Sequence, residues 1–136
     1  MGDHFWRLID DARFDGKDDD AAVCEILVHK LGICDEDGLD VFEEFFAEQV
    51  EALNTPALRS EARAHWTFND ESWVFFRAWI VSRGGEFFSG SLSSSKHAMA
   101  VIADEYPGQF NAPNGERFLH CVGTARQRLP SRNTRN

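Results

Sequence analysis

The residue best suited to specific chemistry is Arg77, which lies in an unusually apolar segment. Residues 70–83 (DESWVFFRAWIVSR) place Trp73 one helical turn before Arg77 and Val81 one turn after it. A helix that is apolar nearly all round is buried, and a buried guanidinium needs a carboxylate or an anionic ligand to offset its desolvation. We therefore expect that Arg77 either pairs with an acidic residue of the first or third helix, which we favour, or binds a carboxylate or phosphate of a ligand.

Three further residues are candidates for the same pocket if Arg77 binds a ligand. Trp73 supplies an aromatic wall, Asp70 stands at the start of the helix, and His65 lies just before it in the chain. A lone histidine beside an aromatic residue more often makes a structural hydrogen bond than a catalytic one. The candidate binding site is therefore Arg77, Trp73, His65 and Asp70, and we predict no catalytic residue, no metal ligand and no cofactor.

One loop resembles a calcium site but lacks a ligand. If Gly38 is placed at position 6 of a calcium loop, Asp35 falls at position 3, Asp37 at 5 and Glu44 at 12. Position 1 is then Ile33, where calcium loops carry a carboxylate. We expect a polar turn that caps the next helix and no calcium binding.

The serine and histidine motifs are equally weak. Ser93 and Lys96 fit the S-x-x-K pattern of serine acyl-enzymes, but the S-D-N and K-T-G motifs that accompany it are missing, and a serine-rich stretch is ordinary linker composition. No two histidines have the H-x-x-x-H spacing that sets metal ligands on one helical face. They fall singly at His4, His29, His65, His97 and His120.

The cysteines indicate reduced thiols. Their number, three, is odd, and no C-x-x-C pair is present, which argues against a disulfide framework or a cysteine-rich zinc site. Cys24 and Cys121 lie on apolar faces, where a cysteine behaves as a small hydrophobe. Cys34 falls in a loop and is expected to be the more reactive thiol.

Negative charge is concentrated in the first part of the chain. The formal net charge is −9, and residues 1–51 hold 16 acidic and 4 basic side chains. Such an acidic body disfavours nucleic-acid binding, which needs Lys or Arg to neutralise phosphates. The last seven residues, 130–136, are basic and rich in small polar residues, so we expect a flexible tail.

Helical periodicity recurs along the chain and predicts about six or seven helices. Two of these helices are predicted as whole segments, residues 70–83 and 96–105. The inward stripes of the other five are Phe5, Leu8, Ile9 and Ala12; Cys24, Leu27, Val28 and Leu31; Leu39, Phe42, Phe46, Val50 and Leu53; Leu58, Ala62, His65 and Trp66; and Phe118, Val122, Ala125 and Leu129.

Capping residues set the predicted ends of these helices. Asp3 and Asp40 are predicted N-caps of the first and third helices, and Gly32 is a predicted C′ residue of the second. Thr55-Pro56 reads as N-cap and N1 of the fourth helix, and Gly84-Gly85 ends the central one. The Ser- and Gly-rich stretch 89–95 is the expected mobile connection.

The predicted fold class is therefore all-α. We expect a single compact domain over residues 1–129, packed around the central aromatic-rich helix 70–83, because a chain of 136 residues is long enough for one sizeable core. No apolar run reaches the ~18 residues of a membrane span, and the opening MGDHFWRLIDDAR does not resemble a signal peptide. We expect a cytoplasmic protein.

Two blocks of the sequence resemble a known family. Phe5, Trp6, Leu8 and Ile9 match a Phe-Trp-x-Leu-Ile helix, and a second group matches a Phe-Arg-x-Trp-Leu-Ile-x-x-Gly helix. That second group is Phe76, Arg77, Trp79, Ile80 and Gly84. The chain thus resembles the bacterial family catalogued as domain of unknown function 4240. The segment SEARAHWTFND lacks the tyrosine and glycine-rich turn usual there. The resemblance implies a small bacterial helical domain and no established activity.

Two functions remain open from the sequence. The first is a non-enzymatic protein-binding or regulatory module, which the acidic first half and the missing catalytic motifs favour. The second is a small enzyme or ligand-binding protein with an anion-recognising pocket around Arg77 and Trp73. The sequence names neither the protein partner nor the oligomeric state.

Overall fold

The computed structural model describes residues 2–17 and 19–128 of the chain. Within those ranges the protein consists of nine α-helices and has no β-strand. The helices are α1 (Gly2–Gly16), α2 (Asp20–Leu31), α3 (Glu36–Ala52), α4 (Pro56–Arg63), α5 (Asp70–Ser82), α6 (Gly85–Ser93), α7 (Ser95–Glu105), α8 (Glu116–Leu119) and α9 (Cys121–Gln127). The all-α prediction is therefore confirmed, with more helices than expected.

Helix α5 lies at the centre of the fold, as its apolar composition predicts. It begins with a reciprocal capping box, in which the Asn69 Oδ1 atom accepts a hydrogen bond from the Ser72 amide (2.7 Å) and the Ser72 hydroxyl oxygen accepts one from the Asn69 amide (2.9 Å). Residues 76–82 are all buried. Helices α3, α6 and α8 pack directly against it, so most of its circumference is covered.

Aromatic rings connect the helices through two groups. Around α5, Phe76 lies between Trp66 and Trp79, with ring centroids 5.2 and 6.4 Å away. Under α1, Phe5 lies 4.9 Å from Phe42 and 4.6 Å from Phe45, both on α3. Aromatic pairs at these distances add favourable ring contacts to the burial of apolar area. They fix the position of α1 and α3, whose surface carries the site described below.

Two positions need glycine because a side chain there would collide with another part of the protein. Gly84, just after α5, has φ +105°, and a Cβ atom there would lie 2.6 Å from the Asp10 carboxylate oxygen. Gly115, just before α8, would place a Cβ atom 2.3 Å from the Trp79 amide nitrogen. Its own amide donates to the Phe75 carbonyl oxygen (2.9 Å). The predicted end of the central helix at Gly84-Gly85 is thus confirmed for Gly84, whereas Gly85 begins α6. Gly115 allows α8 to approach α5 closely.

The prediction of a mobile connection at 89–95 is wrong, because residues 89–93 belong to α6, Ser95 begins α7, and Ser94 alone joins the two helices. The hydroxyls of Ser93 and Ser95 donate to the carbonyl oxygens of Ser89 (3.0 Å) and Ser91 (2.7 Å), four residues earlier in each case. Such bonds let serine remain in a helix, and Ser91 is fully buried. A further helix arises because the last predicted helix is divided at His120 into α8 and α9.

Several predicted caps are also displaced. Helix α3 begins at Glu36 because the Asp35 carboxylate accepts from the Gly38 amide (2.8 Å), so Asp40 lies inside the helix. Helix α1 starts at Gly2, before the predicted cap Asp3. Gly32 is the C-cap of α2 with φ −64°, a right-handed conformation that needs no glycine.

The predicted start of the fourth helix is correct, but its predicted end is not. Its start is confirmed, because the Thr55 hydroxyl accepts from the Leu58 amide (3.1 Å) and Pro56 follows. It ends at Arg63, short of the predicted Trp66.

Some predictions fall outside the described residues. Leu129 and the basic tail 130–136 belong to this group. Among the residues that are described, no helix has the length and apolar character needed to cross a membrane.

Candidate functional site

Arg77 is buried and makes its contacts with the protein itself. Its Nη1 atom donates to the Val50 carbonyl oxygen (2.9 Å) and its Nε atom to the Trp73 carbonyl oxygen (3.3 Å). Val50 lies in the last turn of α3, where carbonyl groups give the helix end a partial negative charge that favours a cation. The Glu51 carboxylate, on the same helix, lies 3.8 Å from Nη1.

The partner of Arg77 is thus an acidic residue of the third helix, as the favoured interpretation expects, but it is not a buried one. The Glu51 side chain is 76% exposed, whereas that of Arg77 is 5% exposed. Burial lowers the pKa of Arg77 and Glu51 partly offsets this. The main compensation for the buried charge therefore comes from the two backbone carbonyls and from the Trp73 ring, whose centroid is 5.3 Å from the guanidinium carbon.

The four residues of the predicted pocket each have contacts of their own in the structure. Trp73 contacts Arg77, but its indole Nε1 donates to the Asn54 side-chain oxygen (3.0 Å). His65 lies beside the Trp66 ring with centroids 5.5 Å apart, and Asp70 is exposed in the first turn of α5. None of the four residues lines the cavity described next.

A well-formed apolar cavity lies between the first turns of α1 and α3. Its volume is about 190 Å³. It is lined by His4, Phe5, Leu8, Cys34, Asp37, Gly38, Val41 and Phe42. Phe5 and Phe42 form its floor from the core, while Val41 at 39% exposure stands at its edge. Ile33, one residue before Cys34, is 81% exposed. We call this cavity and its rim the α1–α3 groove.

The α3 wall of the groove is strongly acidic. Helix α3 contains seven carboxylates and no basic residue. Arg126 of α9 binds three of them: its Nε atom donates to Glu36 (2.7 Å), its Nη1 to Glu43 (3.1 Å) and its Nη2 to Asp40. The hydrogen bonds to Glu36 and Glu43 raise the pKa of Arg126, and the negative charges of Glu43 and Asp40 raise it further.

The remaining carboxylates of α3 define the charge of the groove. Glu51 pairs with Arg77, and the other three, Asp37, Glu44 and Glu48, are exposed. Asp37 lies one turn before Val41 and Glu44 one turn after it, so both flank the groove.

The residues of the calcium-like loop and of the S-x-x-K pattern make structural contacts. Asp35, in the calcium-like loop, caps α3, and Arg126 occupies three of the neighbouring carboxylates. The described residues contain no group of three or more His, Cys, Asp or Glu side chains placed to hold a metal ion. Ser93 of the S-x-x-K pattern donates its hydroxyl to a helix carbonyl, on a shallow surface shared with Lys96 and His97.

The comparisons with known proteins agree with the two sequence blocks. A family model described as "Protein of unknown function (DUF4240)" matches residues 1–128 of the chain. The chain belongs to this family. No match was found among the curated proteins or among the solved structures. The description of the DUF4240 family assigns no activity.

Each family block contacts residues that lie next to the other block in the sequence. Trp6 packs on the turn after α5, where a Cβ atom on Gly85 would lie 3.3 Å from the indole ring, and against Phe88, with centroids 5.2 Å apart. Asp10 of α1 meets the Gly84 backbone. In this DUF4240 chain the two blocks therefore hold α1 against the end of the central helix, which positions the α1 wall of the groove.

Sequence reasoning missed the groove itself. The sequence predicts that Leu8 faces inward, but it is only partly buried and lines an open cavity. Val41 lies on the polar side of α3, and an isolated valine there gives little signal. A pattern of apolar residues shows which face turns inward, but not whether a neighbouring helix covers that face completely.

Proposed function

We propose that this chain is a protein-binding module rather than an enzyme, and that the α1–α3 groove holds an apolar side chain from a basic segment of a partner protein. The observation that carries the proposal is an open apolar cavity with exposed carboxylates on its α3 wall. It is also part of the proposal that residues 1–129 act as one domain. In the part of the chain that the structure describes, one cluster of buried apolar residues draws on eight of the nine helices, which supports this.

The size of the groove supports a side-chain anchor over a free small molecule. Sites for drug-sized ligands usually have volumes of about 300 to 1,000 Å³, whereas this cavity has about 190 Å³. A protein cavity of about 150 Å³ is enough to hold a benzene ring. One Phe, Leu or Met side chain therefore fits, with the partner backbone remaining outside over Val41 and Ile33.

The charge of the rim supports a basic partner. Lys or Arg side chains on either side of the anchor would lie near Asp37, Glu44 and Glu48. Complementary charges of this kind raise the association rate and set specificity, and exposed pairs are weakened by salt. The same acidic surface argues against nucleic acid as the partner.

The alternative, an anion-binding pocket at Arg77 and Trp73, is less well supported. The Arg77 Nη1 and Nε atoms donate to protein carbonyls, and the Trp73 indole donates to Asn54. A ligand there would have to displace these bonds. A buried arginine hydrogen-bonded in this way is typical of a structural role.

Peptide selection tests the proposal. A phage-displayed random peptide library would be selected on the wild-type protein at low ionic strength. We expect enriched sequences to share one large apolar residue flanked by Lys or Arg, and their affinity to fall as salt is raised. Failure to enrich any sequence, or enrichment of acidic sequences, would contradict the proposal.

A matched pair of variants locates the binding surface. Val41 and Val101 are both half-exposed helix residues, 39% and 44% respectively, and Val101 lies on α7 away from the groove. Val41→Lys places a cation at the groove and should weaken the selected peptides by at least about tenfold. Val101→Lys should leave their affinity unchanged. Equal affinities for the two variants would place the peptide elsewhere.

A further inference from the structure

Two cysteines far apart in the sequence meet at the contact between α2 and α9. The Sγ atoms of Cys24 and Cys121 lie 3.5 Å apart, although the residues are separated by 97 positions. Each thiol also lies 3.6 Å from the Arg117 carbonyl oxygen, to which it can donate. Both are free thiols in the structure.

The geometry permits a bond between them after a small movement. A disulfide has an S–S distance of about 2.05 Å, so the sulfur atoms must approach by about 1.5 Å. Rotation about the Cα–Cβ bonds moves a sulfur atom over such distances without unfolding a helix. Cys24 is half-buried and therefore within reach of a small oxidant, while Cys121 is buried behind it.

The surroundings give the two thiols different roles. A hydrogen bond from the Cys121 thiol lowers the pKa of Cys24, against the effect of burial. The positive charge of Arg117 lowers this pKa further, and that of Arg128 acts against the negative charge of Glu25. The same hydrogen bond raises the pKa of Cys121, as does burial. Cys24 is therefore the thiolate that reacts first, because the thiolate is the nucleophilic form. Burial raises the pKa of Cys34, which makes that thiol the weaker nucleophile despite its loop position.

We propose that Cys24 and Cys121 are a redox-sensitive dithiol that a hydroperoxide oxidises to an intramolecular disulfide. The Cys24 thiolate attacks the peroxide oxygen, the O–O bond breaks, and the leaving oxygen departs as an alcohol or water after taking up a proton. The Cys121 sulfur then attacks the Cys24 sulfenic acid. The S–S bond forms, and the hydroxyl leaves as water with the proton of the Cys121 thiol. Two thiols are thus oxidised as one hydroperoxide is reduced.

The bond would fix α9 on α2, independently of the proposed protein-binding function. A cross-link between residues 97 positions apart removes much conformational freedom from the unfolded chain. We expect the melting temperature of the oxidised protein to rise on the order of 10 °C above that of the reduced protein. A disulfide of this kind in a reducing compartment would be transient and regulatory.

Controlled oxidation tests the proposal. The purified protein would be reduced, treated with stoichiometric hydrogen peroxide, and analysed by thiol counting, intact mass and peptide mapping under non-reducing conditions. We expect the loss of two thiols and two hydrogens, a Cys24–Cys121 peptide, and a higher melting temperature that dithiothreitol reverses. No such cross-linked peptide, or a cross-link through Cys34, would overturn the proposal.

Three serine variants separate the roles of the cysteines. Cys34→Ser should behave as the wild type, because its thiol takes no part. Cys24→Ser should form no intramolecular disulfide and show no rise in melting temperature. Cys121→Ser should retain a sulfenic acid at Cys24 that dimedone traps. If Cys121→Ser does not fold, the half-buried Cys24→Ser decides: an unchanged response to peroxide would refute the pair.

Discussion

The replacement Arg77→Met tests how the buried charge at the centre of the fold is stabilised. Methionine has a similar length and an apolar stem, so it fills the same space and removes only the guanidinium. The variant loses the hydrogen bonds to the carbonyl oxygens of Val50 and Trp73 and the contact with the Trp73 ring. Neither carbonyl oxygen is left without a hydrogen bond in the variant. Val50 still accepts one from the Leu53 amide (3.3 Å), and Trp73 lies within a helix.

The expected loss follows from these contacts. A hydrogen bond from a charged donor contributes about 1.5 to 3 kcal/mol, and a cation–π contact about 0.5 to 2 kcal/mol. Against this, methionine avoids the desolvation of a cation, which costs several kcal/mol. We expect a net decrease in the free energy of unfolding of about 1 to 3 kcal/mol. This is below the roughly 3 to 5 kcal/mol of a stranded buried charge, because Glu51 is 76% exposed.

Urea unfolding without added ligand measures this difference. The control is Glu51→Gln, which removes the exposed partner and should cost less than about 1 kcal/mol. The two slopes of free energy against urea should match that of the wild type, so that the midpoints report stability alone. An Arg77→Met midpoint equal to or above that of the wild type would refute the structural role of Arg77. It would make the arginine the first residue to test for anion binding.

Two further substitutions test the fold around α5. Trp79→Ala removes a side chain that is 1% exposed and its indole hydrogen bond to Asp20 (3.1 Å), so thermal unfolding should show a loss of about 3 to 5 kcal/mol. An unchanged melting temperature would contradict the central position of α5. Gly84→Ala should cost about 1 to 3 kcal/mol, because it forces alanine to a positive φ and towards the Asp10 carboxylate. Gly90→Ala, in open space within α6, is the matched control and should be neutral or stabilising by up to about 1 kcal/mol. Equal losses of stability in the two glycine variants would show that the positive φ and the Asp10 contact at Gly84 are unimportant.

Local signals account for what the sequence predicted correctly. The central helix is recognisable because its apolar residues are adjacent in the chain, and the Thr55 side chain marks the start of the fourth helix. The family blocks are recognisable for the same reason, since each is continuous. The partner of Arg77 could be assigned to the third helix only in general terms, because the choice of Glu51 depends on how α3 and α5 pack.

The errors arose where tertiary contacts override composition. Ser91 lies in a stretch with linker composition, but it is fully buried in helix α6. Asp40 has the position of a helix cap, but Asp35 caps α3 and leaves Asp40 to bind Arg126. The residues around a position in the sequence show neither whether its side chain is buried nor that its partner lies 86 positions away, as Arg126 does from Asp40. The same limit hid the contact between Cys24 and Cys121.

Chemical-shift mapping of a selected basic peptide on the ¹⁵N-labelled protein tests the central claim most directly. The Trp73 indole signal reports the alternative pocket at Arg77, because this ring contacts the Arg77 guanidinium. We predict that the peptide shifts the amides of Leu8, Gly38 and Val41 and leaves the Trp73 indole signal in place. Shifts confined to Trp73 and its neighbours, with the amides of the α1–α3 groove unmoved, would contradict the account.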